Sequence, residues 1–108
     1  MKKVIIFTLF LSISIFAFAQ FNELLITEYI EGSSYNKALE IYNGTGMEVD
    51  LSNYVLLQAA NGGNYDEYFY WMSGMLADGE VFVFAHGSAD QTILDQADLI
   101  DNYIANFN

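Results

Sequence analysis

Apolar runs of strand length recur along the chain, separated by clusters of turn-forming residues. Five are legible: Leu24 to Ile30, Ala38 to Asn43, Tyr54 to Gln58, Tyr65 to Met72 and Glu80 to His86. Between them lie "EGSSYN", "NGTG", "NGGN", Ser73-Gly74 and Asp78-Gly79. Runs rich in β-branched and aromatic residues, bounded in this way, predict an all-β domain. Within "KALEIYNGTG", alternation sends Leu39 and Ile41 to one face and Ala38, Glu40 and Tyr42 to the other, which makes Glu40 a solvent-face residue. Asn43-Gly44 suits a tight turn with positive φ angles. That turn folds "MEVDLSNYVL" back, so that Val49, Leu51 and Tyr54 approach the same core. The expected core is Leu24, Ile26, Leu39, Ile41, Leu51, Leu56, Val81 and Val83.

The rhythm changes after His86. Ser88 stands three residues before Gln91, the spacing of a capping box. Ile93, Ala97, Ile100 and Ile104 are spaced as one helical face. A short helix is therefore expected over roughly residues 89 to 97.

Composition divides the 108 residues into two parts. Lys2 and Lys3 precede an apolar run from Val4 to Phe18 that ends in Ala17-Phe18-Ala19, the pattern of a secretory signal peptide cut before Gln20. The run is short for a transmembrane anchor, and no cysteine follows it to carry a lipid. Residues 1–19 are thus read as the leader and 20–108 as one exported domain, secreted or held at the cell surface, with no membrane insertion after cleavage. The chain has no cysteine, so a packed core rather than disulfides must hold it together. Beyond the leader, Lys37 stands alone against fourteen acids, a net charge of −13. Nucleic acid is excluded as a partner, because its binding needs cationic contacts to phosphate. A divalent cation fits that charge better.

The stretch "LLITEYIEGSSYNKALEIYNGTGMEVDLSNYVLL" resembles the first half of a bacterial lamin-tail domain. The matching elements are the strand with Ile26-Thr27-Glu28-Tyr29, the turn Glu31-Gly32-Ser33-Ser34, the strand Glu40-Ile41-Tyr42-Asn43, and Asp50-Leu51-Ser52 leading to Tyr54. Further on, "SGMLADGEVFVFAHGSA" is similar to the family's turn and strand, and "ILDQADL" to its short helix. The resemblance covers essentially residues 23 to 108. It implies an immunoglobulin-like β-sandwich, export, no catalytic residues, and a place beside other domains such as nucleases and phosphoesterases. Family members usually continue past "NFN" with a glycine-aspartate turn and further strands, so the resemblance also implies a sandwich truncated at its C-terminus.

Candidate chemistry is sparse. His86, the one histidine, lies two residues before Ser88, but nothing in the sequence orients a serine-histidine-acid set, and a turn or surface role is the plainer reading. Asp90, Asp95, Asp98 and Asp101, with Glu31, Asp66 and Glu67, could offer calcium its oxygens. No run has the spacing of an EF-hand loop, and Asp95, Asp98 and Asp101 read equally as a solvated face. No cofactor is otherwise expected. Asn43-Gly44-Thr45 fits the N-glycosylation pattern, though a turn accounts for it.

"YDEYFYWM" is the most unusual segment, with Tyr65, Phe69 and Trp71 on one strand face and Tyr68 and Tyr70 on the other. If the fourth and fifth runs were neighbours, Tyr68, Tyr70, Phe82 and Phe84 would form a cross-strand ladder and a candidate interaction surface. A missing C-terminal segment or a neighbouring domain covering that ladder is the favoured alternative. Together these features point to a non-enzymatic binding or structural module of a longer secreted or surface protein. Its partners would be a protein or glycan at the cell surface, or neighbouring domains of the same chain. The alternatives are a targeting module for a downstream nuclease or phosphoesterase, and a carbohydrate binder using Tyr68, Tyr70 and Trp71.

Overall fold

The computed structural model describes residues 21–65 and 67–106; the proposed leader and Asp66 lie outside them. Among the described residues there are eight strands: β1 (Leu25–Glu31), β2 (Lys37–Tyr42), β3 (Val49–Asp50), β4 (Val55–Gln58), β5 (Tyr68–Trp71), β6 (Met75–Leu76), β7 (Val81–Ala85) and β8 (Leu99–Ile100). One four-residue helix, α1 (Gln91–Leu94), joins β7 to β8. The five apolar runs correspond to β1, β2, β4, β5 and β7.

A four-stranded sheet in the order β1-β2-β7-β8 forms one layer. β1 pairs antiparallel with β2 and β2 with β7, while β7 and β8 run parallel. Two antiparallel ribbons, β3–β6 and β4–β5, supply the opposing side chains. Leu39, Ile41 and Phe84 from the sheet meet Leu51, Met72, Leu76 and Ile104 in one buried cluster. Leu24, Tyr54, Leu56, Tyr68, Tyr70, Phe82 and Leu99 close around it. Alternation of in and out along β2 and β7 is what permits this, because the register sets Leu39 beside Phe84 and Ile41 beside Phe82.

Three expectations about the core, and the expected helix, need correction. Val81 is 41% exposed and Val83 half-buried, both on the outer face. Every residue of "VFVFA" is apolar, so alternation alone cannot say which face enters; the phenyl rings do, because only they span the gap between layers. Ile26 pairs with inward-facing Ile41 yet is 63% exposed, because it lines an open cleft between β1 and β4. The helix ends at Leu94, and its N-cap is Asp90, not Ser88. Asp90 makes no side-chain cap bond. Instead its backbone N–H donates to Asn36 Oδ1 (2.7 Å) and its carboxylate accepts from Asn36 Nδ2 (2.8 Å). Beyond it, Asp98 N–H bonds the Val83 carbonyl (2.9 Å) and Asp101 N–H the Ala85 carbonyl (3.0 Å). This ladder draws Leu99 and Ile100 into a strand and sends Ile104 into the core, so the helical spacing of these residues does not make a helix.

The turn after β2 also differs from expectation. Asn43 does not have a positive φ; Gly46 does, at 83°. Asn43 is wholly buried and acts as a polar node. Its Nδ2 donates to the carbonyls of Met47 and Leu76, both at 2.8 Å. Its Oδ1 accepts from Thr45 N–H (3.0 Å) and Thr45 Oγ1 (2.8 Å). Its backbone N–H reaches the Glu80 carbonyl, and its carbonyl accepts from Gly79 N–H. Every polar group of this buried amide is thereby satisfied, as burial demands.

Candidate functional site

The β4–β5 ribbon has two unlike faces. Its register pairs Val55 with Trp71, Leu56 with Tyr70, Leu57 with Phe69 and Gln58 with Tyr68. Leu56, Tyr68 and Tyr70 turn inward against the core cluster. Leu57, Phe69 and Trp71 turn outward and are 46%, 51% and 67% exposed, with half-buried Val55 beside them. Four apolar side chains thus form a continuous row on an open surface, the kind of patch that marks an interface.

Tyr68, Tyr70, Phe82 and Phe84 do come together, by a different route from a cross-strand ladder. β5 and β7 are not paired; they belong to opposite layers. Tyr70 meets Phe84 edge-on at 5.6 Å between ring centroids, and Phe82 tilts against Phe84 at 5.1 Å. Tyr68 packs edge-on against Tyr103 at 4.9 Å. Phe84 is 1% exposed and Tyr68, Tyr70 and Phe82 are half-buried against the core, so these rings serve the packing between the layers.

Beside the exposed row, an apolar cleft of about 390 Å³ opens between β1 and β4. Ile26, Tyr29, Leu57, Phe84, Ile104 and Gln58 line it. Gln58 Oε1 is buried there with no hydrogen-bond donor among the described residues. A buried acceptor left unmatched costs about 1–3 kcal/mol. The Tyr29 hydroxyl donates to Glu31 (3.1 Å), and burial followed by that carboxylate holds its pKa above the ordinary phenol value. The Tyr54 hydroxyl donates to Glu23 at 2.8 Å, which raises its pKa as well.

The polar candidates are held apart by local bonds. His86 is buried, stacks on Tyr35 at 4.5 Å, and accepts from Ser88 N–H at Nδ1 (3.0 Å). Ser88 therefore meets the imidazole through its backbone N–H. Asp95 accepts from Gln91 Nε2, Asp98 from Val83 N–H, and Asp101 from the N–H groups of Tyr103 and Ile104. Asp98 and Asp101 thus hold the two ends of β8. Among the described residues no group of three or more histidines and acids gathers to hold a metal ion, and no helix is long and apolar enough to cross a membrane.

A family model, the Lamin Tail Domain, matches residues 18–107. The chain belongs to the lamin tail domain family. This lamin tail domain is an immunoglobulin-like β-sandwich, a non-catalytic type of binding or structural module. No match was found among curated proteins or among solved structures.

Sequence reasoning missed two features here. The outward row of Leu57, Phe69 and Trp71 was half visible, since Phe69 and Trp71 share a face, but its partner Leu57 depends on the β4–β5 register. The orphaned acceptor of Gln58 left no signal in the sequence.

Proposed function

We propose that this lamin tail domain is an exported, non-catalytic module that binds a protein surface through the outer face of its β4–β5 ribbon. The observation that supports it is the exposed row of Val55, Leu57, Phe69 and Trp71. Aromatic anchors on a rigid strand pair lose little conformational freedom on binding and remove large apolar areas from water. In a longer chain the same face would seat a neighbouring domain, including a catalytic one that the module targets.

The test is site-specific photo-crosslinking in an exporting bacterial host. A benzophenone amino acid at position 71 should give discrete protein adducts, and the same probe at exposed Asp95 should not. Identical adduct patterns at the two positions would reject the reading. A carbohydrate-binding reading is favoured by the exposed indole of Trp71 alone, because Tyr68 and Tyr70 face inward. Glycan binding abolished by Phe69→Ala with Trp71→Ala would establish it in place of the protein partner.

A further inference from the structure

A second groove, of about 410 Å³, lies on the opposite side of the molecule, where α1 overhangs the outer face of the four-stranded sheet. Ile30, Val81, Val83 and Ile93 give it an apolar floor, and Glu28, Glu40 and Asp98 line it with carboxylates. Glu28 and Glu40 stand directly opposite each other on β1 and β2. Like charges in that position repel and destabilise the strand pair. Glu40 accepts from the neutral Thr27 hydroxyl (2.7 Å) and Asp98 from Val83 N–H (2.8 Å). Lys37, the one lysine or arginine beyond the leader, cannot serve them. Its side chain is buried, with Nζ donating to the Gly32 carbonyl at 3.1 Å.

We propose that this groove docks a basic segment of a partner protein. Lysine and arginine have apolar stems that lie along apolar surface while the head stays at a polar rim. The stems match Ile30, Val81, Val83 and Ile93; the cationic heads match Glu28, Glu40 and Asp98. A second copy of this chain is the wrong occupant, because its own surface carries the same excess of acids. This surface is distinct from the β4–β5 face, so the two sites fail or stand independently.

The test is an NMR titration of the chain at pH 6 and about 0.15 M salt, where charges a Debye length of about 8 Å apart are screened. The probes are the peptide Lys-Ser-Lys-Ser-Lys-Ser and its analogue with each lysine replaced by diaminopropionate, which keeps the charge and removes most of the stem. The lysine peptide should shift the methyl signals of Ile30, Val81, Val83 and Ile93 and bind about five- to tenfold tighter than the analogue. The double variant Glu28→Gln with Glu40→Gln should weaken it by a similar factor, about five- to tenfold, without lowering the melting temperature. Equal affinity for both peptides, shifts confined to Leu57 and the β4–β5 face, or full affinity in the double variant would each overturn the proposal. Should the double variant fail to fold, the methyl map of the unaltered chain decides.

Discussion

The Asn43 node and the Gln58 cleft are both places where a side-chain amide enters the interior, and they are treated in opposite ways. Asn43 has each donor and acceptor matched within the chain, tying the turn after β2 to β6 and to Gly79-Glu80. Gln58 has a buried oxygen with no donor among the described residues, and it lines a cleft whose walls include apolar side chains more than 40% exposed. The difference locates the work of each region. One end of the sandwich has its buried amide fully matched; the side between β1 and β4 keeps an open apolar cleft.

The comparison breaks first at Asn43. Replacing it with alanine removes the partner of the buried Leu76 carbonyl and Thr45 N–H, at about 1–3 kcal/mol for each group that water cannot reach, while the Met47 carbonyl keeps the Thr45 hydroxyl (3.0 Å). Asn43→Ala should therefore destabilise by about 3–5 kcal/mol in denaturant unfolding. A loss below about 1 kcal/mol would mean that the node is solvated in solution. Phe84→Ala belongs to the same rank, about 3–5 kcal/mol, because the ring bridges both layers. Leu39→Ala and Ile41→Ala should each cost about 2–5 kcal/mol.

Gln58 should respond in the other direction. Gln58→Leu removes the unmatched acceptor and keeps an apolar side chain of similar length, so it should be neutral or stabilising by about 1 kcal/mol, a rise of about 4–8 °C in melting temperature for a domain of this size. A marked fall would show that Oε1 has a partner in solution. Smaller again, Leu57→Ser with Trp71→Ser should change stability by about 0.5 kcal/mol or less per site, because exposed side chains contribute little to folding. A drop comparable to that of Leu39→Ala would mean that the outer face of the ribbon is part of the fold and not a free surface.

What was legible in the sequence follows from how much each element repeats its own signal. β1, β2, β4, β5 and β7 run four to seven residues and lie in apolar runs bounded by turn residues. β3, β6 and β8 are two residues each, too short for any period. They exist because tertiary partners capture them, as Val83 and Ala85 capture the segment around Leu99. The same capture overrides the helical spacing of Ile100 and Ile104. Asn43 was misjudged for a related reason: "NGTG" resembles a hairpin tip, and only the Asn-x-Thr pairing through Oδ1 hints at an asparagine that organises its own turn. The fourth apolar run was legible as an aromatic segment, but the surface expected from it was Tyr68 and Tyr70 with Phe82 and Phe84, and finding that Phe69 and Trp71 are the exposed pair required the pairing of Leu57 with Phe69.

The smallest expected effect sharpens the comparison from the closed end. Asp50 caps the 3₁₀ turn Leu51–Asn53, its Oδ1 accepting from Ser52 N–H at 2.9 Å. The Ser52 hydrogen bonds hold its pKa below the ordinary aspartate value of 3.8. A carboxylate with a lowered folded pKa contributes stability that is fully present above its unfolded value and is lost as pH falls through the folded one. The contribution should thus persist at neutral pH and fade below about pH 4. Asp50→Asn keeps an oxygen for Ser52 N–H but has no charge to lose. Melting temperatures of the two proteins should therefore converge as pH is lowered from 5 toward 2, with the aspartate form the steeper of the pair. Parallel curves over that range would show that the Asp50 cap is open in solution, and that the closed end is held by Asn43 without it.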